Sequence, residues 1–226
     1  MTTASIRSAP QRILETYTNS PLPKFLIVAC NPTLRTYSDY IHISKAWKFD
    51  KKIKASILKY GSFNKYVNNA LNYLENFPLS SSQISQINDD AIESEDMSFD
   101  LLKWQLVTKG LYAEQQKSWS EKFNKDQFIF VDGDKLLTDP GTELEKLQTK
   151  LKLNIEIDRS YFVKNPSSGL FCFKSNKTAC LHEGKGRTRK ADGQSSIPII
   201  AKTKLDAFFR PHNEEFFEMV SQRFDW

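Results

Sequence analysis

KFLIVACNPTLRTYSDY, residues 24–40, changes its pattern halfway along. Phe25 to Ala29 is an unbroken apolar run between Lys24 and Cys30, the pattern of a strand buried on both faces of a parallel sheet. Asn31-Pro32 then opens a helix, with a side-chain acceptor at the cap and proline where no N–H is missed. A strand running straight into a helix leaves backbone N–H groups and the positive end of the helix dipole beyond the strand. In α/β sheets that place is usually a ligand crevice, and an anion is the favoured ligand. Taken alone, these residues favour a structural βα unit with no ligand.

Working outward, a second strand is expected at Gln127–Val131, followed by a turn at Asp132-Gly133-Asp134 and a helix from Asp139-Pro140 through Leu151. Two strand-to-helix units point to an α/β chain with a central parallel sheet covered by helices. Thr2–Thr18 reads as a short helix. Ser62–Phe77 reads as an amphipathic one, with Tyr66, Val67, Ala70, Leu71 and Leu74 on its apolar face. Phe99–Phe123 carries the longest helical pattern, and Ile197–Trp226 is helical with a break near Arg210-Pro211. Leu79–Asp96 is polar and acidic and reads as an exposed loop. Its carboxylates, Asp89, Asp90, Glu93, Glu95 and Asp96, are too scattered for a calcium loop.

The 226 residues suit one domain, and 39% hydrophobic content suffices for a core. A net charge of +5 favours polyanionic partners only weakly. Lys45–Lys54 holds five lysines interleaved with Trp47 and Phe49, suited to a polyanion or simply to a solvated face. No apolar stretch is long enough to span a bilayer, and no signal peptide follows Met1. His42, His182 and His212 are far apart and no Cys/His set has zinc spacing, so no metal site is expected. Cys30 reads as an unpaired core thiol. Cys172 and Cys180 flank a hairpin-like span that could close a small disulfide loop. Asn176-Lys177-Thr178 between them is a glycosylation acceptor triplet, meaningful only in a secretory compartment.

Gly184–Lys190 packs four cations and two glycines into seven residues. Glycines let the backbone approach a phosphate, and arginine offers a planar fork to two of its oxygens. A βα anion cradle, a cysteine loop and a KGR loop in that order resemble the heparan sulfate glucosamine 3-O-sulfotransferase family. The resemblance is carried by LIVACNPTLRTYSDY (26–40), KGLYAEQQKSWSEKF (109–123), FIFVDGDKLLTDP (128–140), the 161–189 region and RPHNEEFFEMVSQRFDW (210–226). It covers nearly the whole chain except the acidic loop.

The resemblance implies a P-loop-type sulfotransferase fold, as a single domain over 1–226 that is incomplete at its N-terminus. It implies transfer of a sulfo group from 3′-phosphoadenylyl sulfate (PAPS) to the 3-hydroxyl of glucosamine in heparan sulfate. Ser38 matches the serine that contacts the donor's 3′-phosphate. Lys185, Gly186, Arg187, Thr188 and Arg189 match the loop that closes over the nucleotide, and Phe171 matches the aromatic residue at its adenine end. Lys24 and His42 fall at acceptor-contacting positions, Cys172 and Cys180 match the family disulfide, and Asn176 is the candidate glycosylation site. A monomer in the Golgi lumen is the implied setting, with heparan sulfate or a related sulfated polysaccharide as partner. No recognised nucleic-acid motif is present, so a nucleic-acid partner ranks last.

The departures matter equally. The family has an arginine where this chain has Cys30, and losing such a buried pair costs about 2–5 kcal/mol of anion binding. Ser168 replaces a common lysine, and Arg189 stands where the family has a histidine. The family's 5′-phosphosulfate loop and catalytic glutamate have no counterpart before Thr18, so no catalytic residue is assigned. The expectation divides between a shortened enzyme and a non-catalytic relative that binds heparan sulfate or a similar polyanion.

Overall fold

The structure, a computed structural model, describes residues 9–17, 21–45, 55, 57–77, 104–174, 178–180 and 197–226. The acidic loop, most of the basic 45–54 segment, Asn176 and the KGR loop lie outside the described residues.

Helix α1 (Ala9–Thr16) precedes strand β1 (Phe25–Ala29) and helix α2 (Pro32–Lys45). Helices α3 (Phe63–Asn76), α4 (Gln105–Thr108) and α5 (Tyr112–Ser120) lead to strand β2 (Phe128–Asp132). Helices α6 (Gly133–Thr138) and α7 (Pro140–Lys150) follow, then the hairpin β3 (Phe162–Lys164) and β4 (Phe171–Phe173), and finally α8 (Ile199–Val220). The strands β1 and β2 are parallel, with Phe25 opposite Phe128 and Ala29 opposite Asp132. Parallel pairing needs a long crossover, and α2 to α5 supply it.

One apolar cluster joins α2, α3, α4 and the first half of α8 around Tyr66, Val67, Leu106, Leu205 and Phe209. The other joins one face of the sheet (Phe25, Ile27, Ala29, Phe128, Phe130) to α5, the second half of α8 and the C-terminal tail. Helix α8 therefore ties the two halves together. The apolar face predicted for α3 is the buried one: Tyr66, Val67 and Ala70 have no exposed surface.

Four expectations are corrected. β1 is not buried on both faces: Leu26 and Val28 are 52% and 51% exposed, while every residue of β2 is buried. Among the described residues β1 pairs only with β2, and α7 packs against β2, so nothing comparable roofs Leu26 and Val28. The long pattern at 99–123 is interrupted at Gly110, where an added Cβ would lie 2.8 Å from the Phe209 ring and 2.9 Å from Pro32 Cβ. Close approach of α8 and α2 decides that break, and 99–103 lie outside the described residues. Asp132–Asp134 is not a free turn, because Asp132 caps α6. Helix α8 runs through Pro211 without ending. Ala207, whose carbonyl loses its partner there, is exposed, so water can satisfy it.

Candidate functional site

Both strands end level with each other, and both run directly into helices. Asn31 caps α2 by accepting the Leu34 N–H at 3.1 Å. Asp132 Oδ1 accepts the N–H groups of Asp134 and Lys135, each at 3.0 Å. A cross-tie locks the two junctions: Asn31 N–H donates to Asp134 Oδ2 at 2.9 Å. Gly133 fits this junction because a Cβ there would sit 3.0 Å from Val28 Cγ1 and 3.1 Å from the Ala29 carbonyl, and would also crowd the Cys30 thiol. Tyr112 closes the floor, its hydroxyl donating to the Cys30 carbonyl at 2.9 Å. Burial pushes that phenol up to about 12, so it stays protonated and donating at neutral pH.

Beyond the junction, helical spacing places Arg35, Ser38, Asp39 and His42 on one stripe of α2. The opposite side, with Thr33, Thr36, Tyr37, Tyr40 and Ile43, is buried in the core. Arg35 is held from two directions: Nη1 pairs with Asp39 Oδ2 at 2.6 Å, and Nη2 donates to the Leu106 carbonyl at 2.6 Å. The Thr36 hydroxyl donates to the same carbonyl at 3.0 Å. Arg35 Nε is buried with no protein acceptor. Lys109 stands near this group. Burial lowers its pKa, the Asp39 carboxylate opposes that, and the Arg35 charge adds to it. Ser38 is half-buried and His42 exposed beside these cations.

Of the predicted site residues, the structure brings Ser38 and His42 together on α2. Lys24 lies at the other end of β1, ~20 Å along an extended strand from the βα junction. It lines a groove of about 520 Å³ that runs beside β1 and α5. Phe171 is half-buried in the β3–β4 hairpin, whose Lys174 N–H bonds the Tyr161 carbonyl at 2.6 Å. Cys172 and Cys180 are joined in a disulfide, as the resemblance implied. Asn176 and Lys185–Arg189 lie outside the described residues. Arg35, Asp39, Lys109, Tyr112 and Asp134 were not singled out from sequence. The i, i+4 spacing of Arg35 and Asp39 was visible there, but the tertiary contacts of Lys109 and Asp134 were not.

Away from the strand ends, Glu114, His212 and Glu215 place potential metal-ligand atoms within 4.8 Å of one another. Lys117 Nζ bonds both carboxylates there, at 2.8 and 2.7 Å, so an ammonium of the chain itself neutralises them.

Comparison with protein families matches residues 5–219 to the sulfotransferase domain family. Heparan sulfate glucosamine 3-O-sulfotransferase 6 of Mus musculus is 33% identical over 127 residues, covering 54% of this chain and 36% of the relative. The Homo sapiens protein of the same name is 26% identical over 224 residues, covering 97% of this chain and 53% of the relative. The chain thus spans about a third to a half of the length of the curated relatives it matches. Among solved structures, a sulfotransferase from Alicyclobacillus acidocaldarius matches with a TM-score of 0.49 and 16% identity, over 95% of this chain and 60% of that one.

Proposed function

The chain belongs to the sulfotransferase domain family, and from that membership we propose that it takes part in moving a sulfo group from PAPS to the 3-hydroxyl of glucosamine in heparan sulfate. The observation that carries this reading is the α2 entrance. A capped helix N-terminus stands at the end of a parallel strand, followed by a stripe of Arg35, Ser38 and Lys109-facing surface. Helix N–H groups and fixed cations are the means by which a protein holds a phosphate before transfer. In this reading Ser38 hydroxyl contacts the donor's 3′-phosphate and Arg35, anchored by Asp39 and Leu106, supplies positive charge beside it. Phe171 and Lys185–Arg189 complete the nucleotide site, and Lys24 and His42 meet the polysaccharide. The base for the acceptor hydroxyl is assigned to no residue of this chain.

The disulfide between Cys172 and Cys180 supports an oxidising compartment, in keeping with a Golgi lumen. Among the described residues no helix is long and apolar enough to cross a membrane.

A second reading, binding without transfer, is favoured by Cys30. A thiol stands where the family has a phosphate-pairing arginine, and the neighbouring Asn31 N–H is already taken by the Asp134 carboxylate. A PAPS titration followed by thermal shift, with and without heparan sulfate and radiolabelled donor, separates the two. Donor stabilisation that Ser38→Ala weakens and Cys30→Arg strengthens, by about 2 kcal/mol for the arginine pair, supports the site. Stabilisation without label transfer favours the binding reading. No stabilisation at high donor concentration removes the working donor site and leaves the polyanion-binding reading, which is checked by salt-sensitive retention on heparin.

A further inference from the structure

The turn between α4 and α5 is stitched to the start of α2 at successive levels. The Leu106 carbonyl accepts from Arg35 Nη2 at 2.6 Å and from the Thr36 hydroxyl at 3.0 Å. Gly110 lies so close to Pro32 that an added Cβ would sit 2.9 Å from the proline Cβ. The Tyr112 hydroxyl donates to the Cys30 carbonyl at 2.9 Å. Lys109 falls inside this bracket, and its own backbone is fixed at both ends. Its N–H donates to the Gln105 carbonyl at 3.0 Å, and its carbonyl accepts from the Gln115 side-chain amide at 3.0 Å. The side chain therefore leaves a rigid point beside the first turns of α2, and it is half-buried there.

The charges at that point do not balance. Arg35 Nη1 and Asp39 Oδ2 pair at 2.6 Å, so this carboxylate is already engaged. Among the described residues, Asp39 and Arg35 are the charges that act on Lys109, and its ammonium has no hydrogen-bond or ion-pair partner. The Asp134 carboxylate, back at the strand ends, accepts the Asn31 N–H. Arg35 Nε is buried without an acceptor. The Ser38 hydroxyl is also without a partner among the described residues, whereas Thr36 and Ser44 on the same helix donate to carbonyls. Two cations thus share one carboxylate, and Lys109, Arg35 and Ser38 keep donors that nothing in the chain accepts. A half-buried ammonium without an anion has lost hydration uncompensated, and its pKa falls accordingly. What the arrangement lacks is a negatively charged group that only accepts.

We propose that Lys109 is a further phosphate-binding residue of the nucleotide site, gripping from the α4–α5 turn the same phosphate monoester that Ser38 meets from α2. The inference rests on the PAPS reading above and adds to it the residue that tells a 3′-phosphate from a 3′-hydroxyl. A phosphate monoester carries about two negative charges at neutral pH and presents several strong acceptor oxygens. Those oxygens match the open donors of Lys109, Ser38 and Arg35 Nε. The end of β1 offers a thiol at Cys30 and no cation, so the second positive charge beside Arg35 comes from the neighbouring turn. A bound phosphate offsets the charge that the chain leaves open and returns to the ammonium the partner that burial removed.

Calorimetric titration of the full chain with adenosine 3′,5′-bisphosphate and with AMP isolates the contribution of the 3′-phosphate. Lys109→Met keeps the stem and removes the charge, and Lys109→Arg keeps the charge. Lys65→Ala removes an exposed cation from α3 and controls for net charge. The unsubstituted chain should bind the bisphosphate more tightly than AMP. Lys109→Met should weaken the bisphosphate about tenfold and AMP hardly at all. Lys109→Arg should recover part of that loss, and Lys65→Ala should show none of it. The melting temperature of the free Lys109→Met chain should hold or rise, since an ammonium without a partner is exchanged for an apolar end. A residue that merely props the turn would lower that temperature and weaken both nucleotides alike. Equal losses for the two nucleotides, no recovery in Lys109→Arg, or the same loss in Lys65→Ala would overturn the role of Lys109. If the unsubstituted chain does not prefer the bisphosphate, the 3′-phosphate reading of Ser38 falls as well. If it does and Lys109→Met retains the preference, Lys109 alone falls.

Discussion

Leu26 sits opposite Ile129, and Val28 opposite Val131, in one parallel ladder. Ile129 and Val131 are 6% and 5% exposed; their partners one strand over are about half exposed. The four side chains share a face of the sheet and differ only in what lies above them. Helix α7 packs on β2, while among the described residues β1 meets the beginning of α6, where Gly133 approaches Val28 and Cys30. An apolar strand thus reports what it can bury, and its neighbours determine how much of it is buried. The same contrast marks the strand ends. β2 ends in a buried carboxylate that caps its helix, whereas β1 runs out at Cys30, whose backbone carbonyl accepts from the Tyr112 phenol, and at Asn31, whose N–H makes the cross-tie to Asp134.

The largest effect should come from testing the ladder pairs directly. Ile129→Ala removes a buried side chain and should cost about 2–5 kcal/mol, whereas Leu26→Ala should cost well under half as much. Urea denaturation midpoints at constant m-value provide the comparison. Equal costs would mean that β1 is covered in solution as fully as β2.

Next comes Gly133, where the start of α6 reaches β1. Gly133→Ala places a methyl group against Val28, the Ala29 carbonyl and the Cys30 thiol. It should cost about 1–3 kcal/mol as an overpacking change. Restoration by the added substitution Cys30→Ala would locate the strain at the thiol. An unchanged midpoint in Gly133→Ala would show that the junction is looser than its contacts imply.

The strand ends differ in their response to pH. The folded-state pKa of Tyr112 lies near 12, above its ordinary value of 10.0, because burial disfavours the phenolate. Between those values the folded chain holds a proton that the unfolded chain releases. Its contribution is therefore complete below pH 10 and is lost as the pH rises toward 12. Tyr112→Phe should flatten that alkaline limb and lower stability at pH 7 by about 1 kcal/mol for the lost bond to Cys30. Alkaline urea titrations of both proteins check it, and parallel limbs would contradict it.

How far sequence reaches is visible in the same two strands. Local chemistry was legible: the strand pair, Asn31 as a cap, Asp139-Pro140 opening a helix, and the buried stripe of α3 all follow from spacing and residue type. The family was legible because blocks spread over the whole chain keep their order. What stayed hidden depends on packing between distant residues. Pairing of Asn31 with Asp134 spans 103 positions, and Arg35 reaching Leu106 spans 71. The exposed face of β1 has no sequence mark, since Leu26 and Val28 are as apolar as Ile129 and Val131. Pro211 looked like a helix end because proline usually is one. It stays internal because buried Leu205, Phe209, Asn213, Phe216 and Phe217 anchor α8 on both sides of it.

The smallest expected effect lies on the other face of the sheet, which α5 and α8 close. His212 faces Glu114, Glu215 and Lys117. Burial lowers its pKa, the two carboxylates oppose this, and the Lys117 ammonium reinforces it. A lowered folded-state pKa means that the unfolded chain takes up the proton first as the solution is acidified. The contribution of His212 is thus present above the ordinary histidine value of 6.5 and is lost as pH falls below it. His212→Gln should reduce the drop in melting temperature between pH 7 and 5 by a small margin, because the opposing carboxylates cancel part of the burial. Glu114→Gln removes one of those carboxylates and should steepen the same drop. A Glu114→Gln chain whose acid limb becomes shallower would show that Lys117, and not the histidine, governs the response on this face, and that the two faces of the sheet differ in charge as well as in cover.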